Sequence, residues 1–169
     1  MKLILFRGRP GVGKTLLSGL LSQRLNVPVL RKDDMYDHIA FLNTDHGLRN
    51  KAAHDVLYAI FKSNAHSSSQ FILDFPFQFD ADIEQLETWC RANNVELRSI
   101  LTTCSDEALW AQRLKKRAEN PATNQLITDF EEFRKRYSTM QLEARAGELL
   151  IDTVNPANES IAAIINFVG

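Results

Sequence analysis

An α/β domain of three layers, helix on sheet on helix, is the fold class the sequence predicts, and three observations carry the prediction. Five short apolar runs alternate with longer stretches of helical periodicity along the 169 residues, the pattern of parallel strands joined by crossover helices. A glycine-rich octet joins the first apolar run to the first helical one, so a strand, a tight turn and a helix follow one another directly. The composition, 44% hydrophobic and 24% charged, suits one soluble core. No repeat and no low-complexity tract beyond Ser67 to Ser69 divides the chain, and residues 1–169 are read as a single domain.

Strands buried on both faces read as continuous apolar runs rather than alternating ones. Leu3 to Phe6, Val27 to Leu30, Phe71 to Leu73, Leu97 to Leu101 and Leu149 to Ile151 fit that description, giving a five-stranded parallel sheet. After the first strand, Leu16, Leu17, Leu20, Leu21 and Leu25 recur at three- and four-residue spacings, which gathers them on one helix face. A helix from Met35 to Leu42 is expected after the second strand, with Asp34 as its N-cap. Ser105, followed by Asp106 and Glu107, opens another helix with Leu109, Trp110 and Leu114 inward, its acidic first turn suiting the positive end of the helix dipole. Thr128 and Glu131 form a capping-box pattern ahead of Phe133, Tyr137 and Met140, with Phe130 between them.

Charge and cysteine content exclude several classes. Twenty basic against 21 acidic side chains leave a formal net charge of −1, so no overall field marks a coater of nucleic acid or a polybasic membrane binder, and any anion site must be local. Cys90 and Cys104 are too few for a disulfide framework and lack metal-ligand spacing, which suits a reduced, cytoplasmic protein. The first apolar run stops at Arg7, too short for a signal-peptide core, and no stretch approaches the ~20 apolar residues of a membrane span.

The octet is Gly8-Arg9-Pro10-Gly11-Val12-Gly13-Lys14-Thr15, a full match to G-x-x-x-x-G-K-[ST] in the required strand-to-helix context, and it predicts a P-loop NTPase fold. Glycines let the backbone turn its N–H groups around phosphate oxygens, and the helix start adds partial positive charge. ATP with Mg²⁺ is the expected ligand. Gly8, Pro10, Gly11, Val12, Gly13, Lys14, Thr15 and Leu16 are assigned to its binding, with Lys14 reaching the β- and γ-phosphates and the Thr15 hydroxyl supplying Mg²⁺.

The loop alone does not select among P-loop classes. An N-K-x-D motif for a GTPase switch and an L-S-G-G-Q signature for an ABC ATPase are both missing, and the length does not suit an AAA module with a helical lid domain. A kinase reading remains. Asp33 and Asp34 follow the second strand, at the carboxyl edge of the sheet where a phosphoryl acceptor would sit. Asp33 is expected to take the acceptor proton as general base. Asp74 follows the third strand and is expected to serve Mg²⁺ or the acceptor. Arg113-Leu114-Lys115-Lys116-Arg117 leads into a helix-breaking stretch with Pro121, which suggests a lid over about 113–127. Arg113 and Arg117, four apart on one face, could both address one nucleotide.

On these residues the chain resembles the small P-loop kinases that include 5′-hydroxyl polynucleotide kinases, chloramphenicol phosphotransferase and zeta toxins. The resemblance runs nearly end to end, through Gly8 to Thr15, Lys32-Asp33-Asp34, Asp74 and Arg113-x-x-x-Arg117. It implies the strand order 2-3-1-4-5, Asp33 as base, Arg117 as the lid arginine, and Arg113 with Pro156 flanking adenine. Polynucleotide kinases follow their Asp pair with an arginine, where this chain has Met35-Tyr36-Asp37. That departure points away from nucleic-acid acceptors and toward a neutral or cationic small molecule, with Arg49 and Lys51 as residues that could still hold an anion. His46 and His54 read as packing or surface residues.

The expected activity is therefore transfer of the γ-phosphoryl group of ATP to a hydroxyl of a small-molecule acceptor, with Lys14, Asp33 and Arg117 as the catalytic side chains and Thr15 and Asp74 toward the metal. The alternatives are a nucleoside or nucleic-acid 5′-hydroxyl kinase and an ATP-binding regulatory module with slow hydrolysis. A monomer or homodimer without membrane attachment is expected.

Overall fold

Five parallel strands form one sheet in the order β2-β3-β1-β4-β5 in a computed structural model that describes residues 1–119, 129–137 and 142–169. The strands are β1 (Lys2–Arg7), β2 (Val29–Arg31), β3 (Gln70–Asp74), β4 (Glu96–Thr103) and β5 (Leu149–Asp152). The helices are α1 (Lys14–Leu25), α2 (Lys32–His38), α3 (His46–Asn64), α4 (Asp80–Ala92), α5 (Glu107–Ala118), α6 (Phe130–Tyr137) and α7 (Ala157–Val168). The fold class and strand order match the expectation. β1 lies at the centre, in register with Gln70 to Asp74 on one side and Glu96 to Leu101 on the other. Its position explains why its run is the most apolar of the chain: Leu3, Ile4, Leu5 and Phe6 are all fully buried.

Alternate residues of β1 feed two cores. Leu3 and Leu5 pack with Leu57 and Phe61 of α3 and with Ile83, Leu86 and Cys90 of α4. Ile4 and Phe6 pack with Leu17 and Leu21 of α1 and with Ile161, Ile164 and Val168 of α7. A third cluster, Val12, Cys104, Trp110, Leu114 and Phe133, joins α5 and α6 to the glycine-rich loop. No described helix is long and apolar enough to cross a membrane.

Several local expectations shift. Leu16 does not share the leucine face of α1; it is 60% exposed while Leu17 and Leu21 are buried. α2 begins at Lys32 rather than Met35 and ends at His38, with Arg31 as its N-cap residue. Asp34 is therefore no cap; it stands with Asp33 in the first turn, where carboxylates suit the dipole, and pairs loosely with Arg31 at 3.9 Å. Asp106, not Ser105, caps α5 by accepting from the Leu109 N–H at 2.9 Å. Asp129 accepts from the Glu132 N–H at 2.9 Å at the start of α6; Thr128, Pro121, Met140 and the lid portion from 120 to 127 lie outside the described residues.

Candidate functional site

The carboxyl ends of β1, β2 and β3 place the loop and the acids in one region. Gly8 leaves β1 with φ +140°, and a Cβ there would stand 2.3 Å from the Thr102 carbonyl oxygen of β4, so only glycine lets the loop start against that strand. Gly13 precedes α1 with φ +102° and offers no side-chain cap, which leaves the first N–H groups of the helix directed into the loop. A second anchor comes from α5: the Trp110 indole N–H donates to the Pro10 carbonyl at 2.9 Å. Gly11, buried beneath Trp110 and Leu114, has no room for a side chain.

Lys14 folds back over the loop, its Nζ donating to the carbonyls of Gly8 and Arg9 at 2.9 Å each. Burial pushes its pKa down to about 8, against the attraction of Asp74 and Asp33 and with the repulsion of Arg117 and Lys32. Those four side chains come from β3, α2 and α5, so the residues singled out in sequence converge around one ammonium group. Thr15 donates its hydroxyl proton to Asp74 Oδ2 at 2.7 Å. Asp74 is 8% exposed; burial raises its pKa, opposed by the Lys14 charge and the Thr15 hydrogen bond. A hydroxyl and a carboxylate at this distance are a hard, oxygen-only donor pair of the kind that suits Mg²⁺ bound chiefly by phosphates and water, and the glycine-lined cradle with its uncapped helix start fits a polyphosphate.

Asp33 is exposed, and its charge acts on Lys14 and on Asp74. Asp34 faces Arg31 instead. Arg117 extends its charge to Lys14 from the last turn of α5. Arg113, one turn earlier, is fixed differently: its guanidinium donates to the Thr153 hydroxyl at 2.7 Å and the Thr153 carbonyl at 3.0 Å. That contact brings Arg113 beside the turn after β5 that leads to Pro156, the exposed N-cap residue of α7. Thr153 was not foreseen. Its hydroxyl lies 2.7 Å from the Val12 carbonyl and 3.0 Å from that of Thr103, tying β5, β4 and the loop together. Its place just past a strand end of a parallel sheet was the available signal.

The acceptor side holds the larger surprise. Tyr36, part of the Met35-Tyr36-Asp37 departure that points toward a neutral or cationic acceptor, is itself covered by cations: Lys32 Nζ lies 4.4 Å and the Arg49 guanidinium 4.2 Å from its ring centroid. His46 Nδ1 faces both the Tyr36 hydroxyl and Arg49 Nη2, the latter at 2.8 Å, and since a guanidinium can only donate, Nδ1 is the acceptor of that contact. Lys51, by contrast, pairs in solvent with Asp55 at 2.6 Å. His54 packs edge-on against Phe75 and Phe77, as a packing histidine.

A family model described as an AAA domain matches residues 3–140. That description carries the label which chain length argues against; the match spans β1 to β4 and the helices through α6, with the glycine-rich loop near its start, and stops before β5. Among curated proteins nothing matches the chain. Solved structures do, at the level of fold. A kinase candidate from Chloroflexus aurantiacus aligns with TM-score 0.72 at 21% identity, covering 98% of this chain and 94% of its own. Kti12 from Chaetomium thermophilum, solved with ADP-AlF3, aligns with TM-score 0.70 at 16% identity and covers 99% of both chains. A gluconokinase from Sinorhizobium meliloti aligns with TM-score 0.68 at 14% identity, over 99% of this chain and 91% of its own.

Proposed function

The chain belongs to the family described as an AAA domain, and from that premise we propose that it is a kinase transferring the γ-phosphoryl group of ATP to a hydroxyl of a small-molecule acceptor. The observation that carries the reading is the convergence of Asp74, Arg117 and Asp33 on Lys14, from three separate elements, with Thr15 bonded to Asp74. A pure nucleotide-binding turn needs the loop and its lysine; it has no use for an additional exposed carboxylate at the end of β2. The gluconokinase and the kinase candidate among its fold neighbours support phosphoryl transfer, and Kti12, solved with ADP-AlF3, supports nucleotide binding.

In this reading the loop amides and Lys14 hold the β- and γ-phosphates, and Arg113 with Pro156 borders the base. Asp33 accepts the proton of the acceptor hydroxyl as its oxygen bonds to the γ-phosphorus and the bond to the ADP oxygen breaks. Arg117 neutralises the charge that gathers on the transferring group. Thr15 and Asp74 would hold Mg²⁺, which supplies neutralisation of phosphate charge when bound. Asp33 is preferred over Asp34 as the base because its charge reaches Lys14 and Asp74, while Asp34 is turned to Arg31.

The test is incubation with ATP, Mg²⁺ and a metabolite panel including sugars, nucleosides and 5′-hydroxyl oligonucleotides, with mass spectrometry for gain of one phosphoryl group. A phosphorylated product is expected with the wild type and, at about 10²- to 10⁴-fold lower rate, with Asp33→Asn. Undiminished transfer by Asp33→Asn removes the base assignment. Nucleotide hydrolysis without any phosphorylated product supports the regulatory alternative.

A further inference from the structure

Arg49 is the least explained side chain in the site. It lies on α3, is 4% exposed, and its Nε is buried without a hydrogen-bond partner among the described residues. Its Nη2 donates to His46 Nδ1 at 2.8 Å, and its flat face lies on Tyr36. No carboxylate forms an ion pair with it among the described residues. Asp37, an acid that feels its charge, has its own Oδ1 buried and unpartnered among the described residues. Lys32 adds a second cation over the same ring. A guanidinium carries five donors, fits an oxyanion with two parallel bonds, and is costly to bury unpaired. An orphaned buried donor of this kind calls for a ligand.

We infer that the acceptor carries a small oxyanion, a carboxylate, sulfate or phosphate group, and that Arg49 receives it through its unpartnered Nε–H, with Lys32 beside it and Tyr36 and His46 fixing the guanidinium plane. The inference rests on the kinase reading of this site and names its substrate class. Asp33 stands one residue from Lys32 in the first turn of α2 and acts electrostatically on Lys14, Lys32 and Tyr36, so an acceptor whose anion meets Arg49 extends toward the base and the transferred phosphoryl.

The experiment records the arginine Nε–H resonances of the full chain by nitrogen–proton correlation, with the Arg49 signal assigned by its disappearance in Arg49→Met. Arg49→Lys gives the same assignment should the methionine variant fail to fold. Inorganic sulfate, glycerate and glycerol are titrated separately, without nucleotide. Sulfate and glycerate are expected to move the Arg49 resonance saturably, and glycerol at the same concentration at least tenfold less. A resonance that neither anion moves, or that glycerol moves equally, overturns the inference. Failure of the kinase reading appears elsewhere, as the absence of phosphoryl transfer from ATP in the metabolite panel, so the two results are read independently.

Discussion

Two buried arginines, Arg7 and Arg49, show how differently one molecule can treat the same side chain. Arg7, 2% exposed at the end of β1, is matched by a carboxylate: Nε and Nη2 donate to the two oxygens of Glu148 at 2.6 Å each, and Nη2 donates also to the Glu143 carbonyl at 2.8 Å. Glu148 is completed by the Ser99 hydroxyl at 2.6 Å and the Arg145 N–H at 3.0 Å. Arg49, as deeply buried, has an imidazole nitrogen and an aromatic face. The signs of the electrostatic balance follow. Burial pushes the Glu148 pKa up, but the Arg7, Ser99 and Arg145 hydrogen bonds outweigh it and hold it below the usual carboxylate range. At Lys14 the desolvation wins, and the cation is held at a cost. The lesson is that burial by itself does not separate a structural charge from a binding one. A charge whose partners outweigh its desolvation belongs to the fold, and one left in deficit is set for a ligand.

That contrast breaks most easily at Arg7. Arg7→Met leaves Glu148 charged and buried, and a loss of about 3–5 kcal/mol in denaturant-unfolding stability is expected. Pairing it with Glu148→Leu should recover most of the loss, because an apolar pair of similar volume avoids the desolvation altogether. A loss under about 1 kcal/mol for Arg7→Met alone would place Arg7 with Arg49 and dissolve the comparison.

A pH series sharpens it next. The folded-state pKa of Lys14, about 8 against the ordinary lysine value of 10.5, is depressed for a cation, so the unfolded chain binds more protons between those values and stability rises with pH through that window. Nucleotide phosphates favour the charged form, so nucleotide affinity should decline above pH 8, by up to about tenfold per pH unit. Calorimetric titration in buffers of different ionisation enthalpy would detect the accompanying proton uptake, and a flat profile would show Lys14 to be compensated without ligand. On the other side, Glu148 contributes stability that is present above its unfolded pKa and lost as pH falls through its depressed folded value. The smallest effect is expected at Arg49, where Arg49→Met keeps the stem and removes a buried charge that has no acidic ion-pair partner among the described residues, and the unfolding free energy should change by less than about 1 kcal/mol.

The sequence disclosed what is local. Gly8 to Thr15 is contiguous, and Asp33 and Asp74 follow apolar runs, so spacing alone placed all of them at one sheet edge. Strand ends were underestimated at both sides of β4, which runs from Glu96 to Thr103, since polar residues there pair by backbone hydrogen bonds that side-chain pattern does not record. Helix starts slipped where two capping residues were adjacent: Ser105 beside Asp106 gave no basis for preferring the one whose carboxylate reaches the Leu109 N–H. What stayed illegible is what the fold brings together over distance. Arg7 and Glu148 are 141 residues apart, and Arg113 and Thr153 are 40 apart. Arg49 was visible as a cation one helix away, but its position over Tyr36 depends on how α2 packs on α3, which no periodicity encodes.

The hydrogen bond from Trp110 to Pro10 also equips the protein with an optical gauge. The chain has only two tryptophans. Trp110 rests on the loop, whereas Trp89 packs with Tyr58 and Phe61 on the far face of the sheet. Any movement of the loop alters the polarity around one indole and leaves the other as a built-in reference, so loop occupancy can be followed by intrinsic emission in the unlabelled protein.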